Sequence, residues 1–245
     1  GVITLTAGTV TQAGTISANG KSDTSRGGEI TLAGNDVVIS GGSKTNAKGG
    51  AGGGVINVGT TKVSYDVKAD GTRTKPRPEN LAQTVRVDAG SLIDASATKS
   101  GDGGVINVWS KLKTTVAGAM KATGGLLSGR GGFIETSSVG LLEIMKTFSV
   151  DVSAPKGKAG LWLLDPEDMV IDETTANAIS TALQTSDVTV DVQGNLTIAQ
   201  GANIAQASGT NTTLTFNATG SIINNAVITG AMNVVLNSSS VTLNT

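Results

Sequence analysis

Asp165, Glu167, Asp168 and Asp172 lie close together in the chain, with Lys156 and Lys158 just ahead of them. Paired carboxylates can divide the roles of acid and base when their surroundings pull their pKa values apart. Cleavage of a polysaccharide is the reaction such a set could support. A plainer reading competes at every position. Asp165-Pro166 has the form of a turn, Glu167 and Asp168 of its solvated edge, and Asp172 of a charge at a helix start. The wider composition favours the plainer reading. There is no histidine, the commonest general base and metal ligand, and no cysteine, which excludes disulfides and thiolate metal sites. Gly101-Asp102-Gly103 is too short for a calcium-binding nonapeptide array. The expectation is a protein that is not an enzyme and carries no cofactor or metal.

Binding is the other chemistry to place. Eighteen basic residues stand against 19 acidic ones, and aromatics make up 2%, so neither phosphate backbones nor stacked bases have a platform here. No apolar run approaches the roughly 18–20 residues of a membrane span, and no signal peptide is visible. Nucleic-acid binding and membrane insertion are therefore not expected. The stretch Lys62–Thr84 interrupts the pattern described below and holds the sole tyrosine. Tyr65, Lys68, Arg73, Lys75 and Arg77 within it are the candidate partner contacts, because aromatic and arginine side chains most often anchor interfaces. The plainer reading is a tolerated surface excursion, since long insertions cost little. Asn195, Asn211, Asn217 and Asn237 each begin an Asn-x-Ser/Thr triplet and are candidate glycosylation sites.

The elements that must hold these residues are repeats. GGVINV occurs at Gly53–Val58 and again at Gly103–Val108, with GGEITL at Gly27–Leu32 and GGFIET at Gly131–Thr136. The second residue after each glycine pair is Ile30, Ile56, Ile106 or Ile134. Around these positions one face stays mainly aliphatic with a period of two, as in a half-buried strand. A second strand reads GTISA, VVISG, SLIDA and AMKAT in successive units. No unit this small can bury its own aliphatic face, so the units must stack. The inference is an all-β fold, a parallel β-helix with an extra-helical insertion; a β-sandwich is the alternative, but it needs no in-register repeat. Trp162 and Asp165-Pro166 mark a second break, read as structural. Ala176, Ile179, Ala182 and Leu183 after it follow helical spacing, with Thr174 or Thr175 as the N-cap. That short helix is expected to pack on the solenoid wall. Beyond it Ile198, Phe216 and Leu236 suggest a shorter beat. The organisation expected is thus 1–165 with long repeats and an insertion at about 62–84, a turn and helix over 166–187, and coils with shorter repeats over 188–245.

GRGGFIETSS at Gly129–Ser138, followed by GKAGLWLLDPEDMVID at Gly157–Asp172, resembles the exoproteins of two-partner secretion in Gram-negative bacteria. These are the filamentous-haemagglutinin-like and high-molecular-weight adhesins, with haem-acquisition relatives. The resemblance covers about Gly27 to the C-terminus. It implies a right-handed parallel β-helix, secreted through an outer-membrane transporter partner and displayed at the cell surface. It implies adhesion to a host-cell glycan or protein, or to biofilm matrix, without catalysis. Capture of a host haem-carrier protein and a pure spacer are the alternatives within the family; a carbohydrate-active β-helix enzyme is the alternative outside it. The chain starts and stops within strand-like sequence and lacks an NPNL-like secretion motif, so it reads as an internal piece of its parent.

Overall fold

A computed structural model describes residues 1–68, 73–207 and 211–244. It is a parallel β-solenoid of about eight turns. One continuous sheet runs its length, through Val2–Gln12, Glu29–Ile39, Val55–Val58, Val105–Val116, Phe133–Ser138, Leu161–Pro166, Asp187–Val192, Thr213–Ala218 and Asn233–Asn237. The expected isoleucine ladder is its central rung. Ile3, Ile30, Ile56, Ile106, Ile134, Trp162, Val188, Leu214 and Val234 pair in that order. From Ile30 to Leu214 every member is fully buried. Burying each such side chain is worth about 1.5–3 kcal/mol, so the stack is the main cohesive element.

The other walls are shorter. Thr15–Ser17, Lys44–Asn46, Leu92–Asp94, Ala119–Lys121 and Ser149–Asp151 form the second sheet. VVISG does not belong to it. Val37 pairs with Val10 and Val85, so this stretch is the end of a long strand in the first sheet, and Lys44–Asn46 is the true counterpart of the SLIDA and AMKAT strands. The polar composition of KTN hid it. Met169–Ile171, Leu196–Ile198, Ser221–Asn224 and Ser240–Leu243 make a third sheet.

The glycine pairs form one corner where the coil pinches. Gly54 N–H donates to Ala47 O and Gly104 N–H to Ala95 O, both at 2.8 Å, and Gly132 N–H to Ala122 O at 2.7 Å, so opposite walls are bonded directly across the coil. A Cβ on Gly53 would lie 1.8 Å from Ala95 O, and one on Gly131 1.8 Å from Val152 O. Only glycine permits this approach of backbone to backbone.

The helix α1, Glu173–Ala182, forms where the period changed, but Asp172, not Thr174 or Thr175, is its cap, accepting from Thr175 N–H. Thr175 is buried on the core side, where it is not free to cap. α1 packs between Ser149–Asp151 on one side and Ile204–Ala205 on the other. It thus takes the place of a strand in the wall, with Ala176, Ile179 and Leu183 fully buried in the common core. The later coils keep the long repeat for most of their course. Val188 pairs with Leu214, and Ile198 with Asn224 rather than with Phe216. Only the last coil shortens, with Leu214 opposite Val234. The spacing of 18 from Ile198 to Phe216 joined residues on different walls, whereas the 20 from Phe216 to Leu236 is a true rung of that last coil.

Within the interrupted segment, Lys62–Val67 and Arg73–Glu79 pair antiparallel as a hairpin; residues 69–72 lie outside the described residues. The hairpin leaves the solenoid in mid-strand. Val55–Val58 before it and Ala82–Val87 after it both stack between Glu29–Ile39 and Val105–Val116. Ala82 N–H donates to Gly59 O at 2.7 Å and closes the gap. Thr84, at the end of the 62–84 stretch, is thereby already part of the solenoid.

Candidate ligand groove beside the pinned hairpin

Alternation along the first sheet sends Asn57, Asn107, Trp109, Glu135, Ser137 and Asp165 outward, yet all are buried. Part of their cover is the hairpin, which folds back over this face. Tyr65 meets the Phe133 ring edge-on, with centroids 5.2 Å apart. Its hydroxyl donates to Asn107 Oδ1 at 2.7 Å and to Glu135 Oε2. Asn107 Nδ2 donates in turn to Asn57 Oδ1 at 2.7 Å, and Ser137 Oγ donates to Glu135 Oε1 at 3.2 Å. Arg73 lays its guanidinium 5.3 Å from the centre of the Phe133 ring. The hairpin is therefore fastened by one aromatic edge, one cation–π contact and a polar chain that spans three coils.

Burial governs the charges here. It pushes the Glu135 carboxyl up to about 8, against the opposing pull of hydrogen bonds from Tyr65 and Ser137. It raises the Tyr65 hydroxyl well above its usual range, helped by the facing Glu135. Asp165 rises to about 7 through burial and then through the charge of Asp191, which the next coil places beside it. Asp191 is also raised by burial, with Asn217 easing it.

Between the hairpin and the glycine corner runs a groove of about 660 Å³. Val67 and Arg73 form one wall. Arg26, Arg130 and Lys158 form the other, each immediately before its corner in the repeat. Val55, Val105 and Leu161 lie along the floor, and Thr189, Thr213 and Thr215 continue it. Asp102 and Asp187 also line it, but each carboxylate accepts a backbone N–H, from Arg130 at 2.7 Å and from Thr213 at 2.8 Å. Burial raises Asp187 above the usual carboxylate range, while that backbone bond and nearby Lys158 hold it down.

The candidate residues divide accordingly. Tyr65 and Arg73 are half-buried against the solenoid, whereas Lys68, Lys75 and Arg77 are exposed; Asp66 pairs with Arg77 at 2.9 Å and with Lys75 at 3.7 Å. The four carboxylates of the second break do not share one role. Asp168 Oδ1 accepts from Asn195 N–H at 2.5 Å and ties two coils, Asp172 caps α1, Glu167 is exposed, and Asp165 is buried next to Pro166. Lys156 and Lys158 are exposed on a corner loop. Among the glycosylation candidates, Asn237 Nδ2 donates to Asn217 Oδ1 at 2.8 Å, Asn233 Nδ2 to Asn211 Oδ1 at 3.5 Å, and Asn195 Oδ1 accepts from Ser221 N–H at 3.0 Å. Among the described residues no helix is long and apolar enough to cross a membrane, and no group of three or more acidic residues is placed to hold a metal ion.

Sequence reasoning missed Arg26, Arg130, Glu135 and Asp191, and grouped Lys158 with the carboxylates of the second break, not with Arg130. A signal existed for Arg26, Arg130 and Lys158, which share one slot of the repeat. Glu135 had none, because an outward residue reads as solvated until something is known to cover it. No family model matches the chain and no curated protein matches it.

Proposed function

We propose that this chain is a non-enzymatic segment of a secreted bacterial surface adhesin, which displays a binding groove on a β-solenoid rod for attachment to host cells or to matrix. One observation carries the reading. The inserted hairpin is fastened down on the rod by Tyr65 and Arg73, so that it walls a groove of fixed shape. A loop serving only as filler needs no such fastening. Rigid walls lower the ordering cost of binding. The resemblance of GGFIETSS and WLLDP to the adhesins supports the same reading. The parent would reach the surface through its outer-membrane transporter partner.

The test is attachment. Beads coated with the chain are presented to host-cell monolayers and to matrix polymers, beside beads carrying a version in which a short Gly-Ser turn replaces the hairpin between Thr61 and Asn80. Those ends are already adjacent, with Thr61 N–H donating to Glu79 O at 3.0 Å. Attachment by the intact chain, and its loss in the excised version still folded by circular dichroism, is the expected result. Intact beads that attach to no surface would leave the spacer reading in its place.

A further inference from the structure

The cations of the groove follow the solenoid's own period. Arg26, Arg130 and Lys158 each occupy the position just before the corner, where Gly52 and Asp102 stand in the two intervening coils. Parallel strands rise about 4.8 Å per coil. Arg130 and Lys158 are thus one step apart, and Arg26 lies three steps further along the axis. Arg73 faces them from the hairpin, its guanidinium held over the Phe133 ring. Arg26, Arg73 and Lys158 make no ion pair within 4 Å among the described residues. The two acids of the groove are occupied by backbone donors, as described above. The site therefore sets four cations, three of them in one slot of the repeat, against the two carboxylates of Asp102 and Asp187, above an aliphatic floor with threonine hydroxyls at one end.

We propose that this groove binds a linear polysaccharide bearing regularly spaced anionic groups. The inference rests on the adhesin reading and names its ligand class. Cations set one and three coil rises apart can each meet an anionic group of a chain that repeats at a similar rise, and a guanidinium forms paired hydrogen bonds with a carboxylate or sulfate. A peptide fits less well. The floor strands are paired on both sides, so no free edge offers main-chain bonds to an added strand. Hydroxyls and an aliphatic floor instead suit a sugar chain with polar rims and apolar faces. The chain as a whole carries a net charge of −1, so the attraction is local to the groove and is screened by salt.

Binding is measured by calorimetry with four probes: polygalacturonate oligomers, heparin-derived oligosaccharides, dextran and polyglutamate. Either anionic glycan should bind, at least tenfold more tightly than dextran, and 0.5 M sodium chloride should weaken the binding at least tenfold. Preference between the two identifies the charge as carboxylate or sulfate. The triple variant Arg26→Gln, Arg130→Gln, Lys158→Gln should bind at least tenfold more weakly. A second variant, Val67→Glu, alters only an exposed side chain of the hairpin wall and should also weaken binding severalfold. The proposal is overturned if both folded variants bind as the unaltered chain does, if dextran binds equally well, or if polyglutamate alone binds. Silence of both anionic glycans while coated beads still attach would sink the ligand class and leave the adhesin reading standing.

Discussion

The Tyr65 hydroxyl is hydrogen-bonded to the Glu135 carboxyl group across 70 positions of the chain, joining the tip-ward half of the hairpin to the outer face of the solenoid. Glu135 has no exposed surface, and Asn107 shares the same hydroxyl. The hairpin's placement thus depends on one phenol that reaches two acceptors on neighbouring coils. Without that reach, Asn57, Asn107 and Glu135 would be outward polar residues of an ordinary solenoid wall.

Replacing Tyr65 with Phe keeps the ring against Phe133 but leaves both acceptors short of a partner. A buried polar group deprived of its partner costs about 1–3 kcal/mol. Since the rest of the solenoid holds its own ladder, the loss should appear locally first. Limited proteolysis should cut between residues 62 and 79 in the variant well before the rods unfold, and urea denaturation should show a lower midpoint. A variant with unchanged cleavage would mean that the hairpin is held by its other contacts.

Stability should fall as pH rises from about 4.5 to about 8. Burial raises Glu135 from 4.5 to about 8 and Asp165 from 3.8 to about 7, so between those limits the folded state holds protons that the unfolded chain has released. Unfolding then releases protons, and the stability these two groups contribute is fully present at the acid end and lost at the alkaline end. Thermal midpoints measured from pH 5 to pH 8.5 should decline. Glu135→Gln should flatten the alkaline part of the curve, and Asp165→Asn the part near neutrality. A profile that the two substitutions leave unchanged would show that other groups set it.

The glycine corner should tolerate no side chain. Gly131→Ala would put a Cβ 1.8 Å from Val152 O, and Gly103→Ala would put one 2.0 Å from Ala122 O. Either atom must force open the cross-coil bonds, and the expected cost is above about 4 kcal/mol, in the exceptional class for a single substitution. Gly8→Ala is the matched control, since nothing lies within 4 Å of its Cβ position. It should change stability by no more than about 1 kcal/mol. Circular dichroism melts of the three variants decide the point.

The solenoid was legible because its cause is periodic. Ile30, Ile56, Ile106 and Ile134 carry the stacking in their identity, and the corner glycines are required by the backbone approach that the earlier coils repeat. The Lys44–Asn46 strand was not legible, since its pairing depends on backbone stacking with Leu92–Asp94 and not on aliphatic side chains. The later coils misled for a related reason: Ile198 and Phe216 both face the core but from different walls, so their spacing measures no coil. The insertion was visible as a break in the repeat, with Tyr65 and Arg73 inside it. That Tyr65 would turn back onto Glu135, or that Arg26, Arg130 and Lys158 would align opposite Arg73, depends on where the hairpin lands. Sequence spacing carries no information about that fold-back.

Trp162 takes the place of an isoleucine in the central rung, and the next rung adapts to it. Leu32, Val58, Val108, Thr136, Leu164 and Val190 pair in sequence there, so Thr136 is the one polar member of that stretch. Its Oγ1 accepts the Trp162 indole N–H at 3.0 Å, which satisfies a donor that has no water to turn to. Thr136 is therefore retained for Trp162. Thr136→Val alone should leave the indole donor unpartnered and cost about 1–3 kcal/mol. Trp162→Ile alone should cost about 3–5 kcal/mol through the cavity left beside Phe148, whose ring lies 5.3 Å from the indole. In the double variant the orphaned donor is gone and the rung becomes wholly aliphatic, so the combined loss should be smaller than the sum by about 1 kcal/mol or more. Urea denaturation of the four proteins measures this coupling. Strict additivity would show that Thr136 and Trp162 hold their places independently.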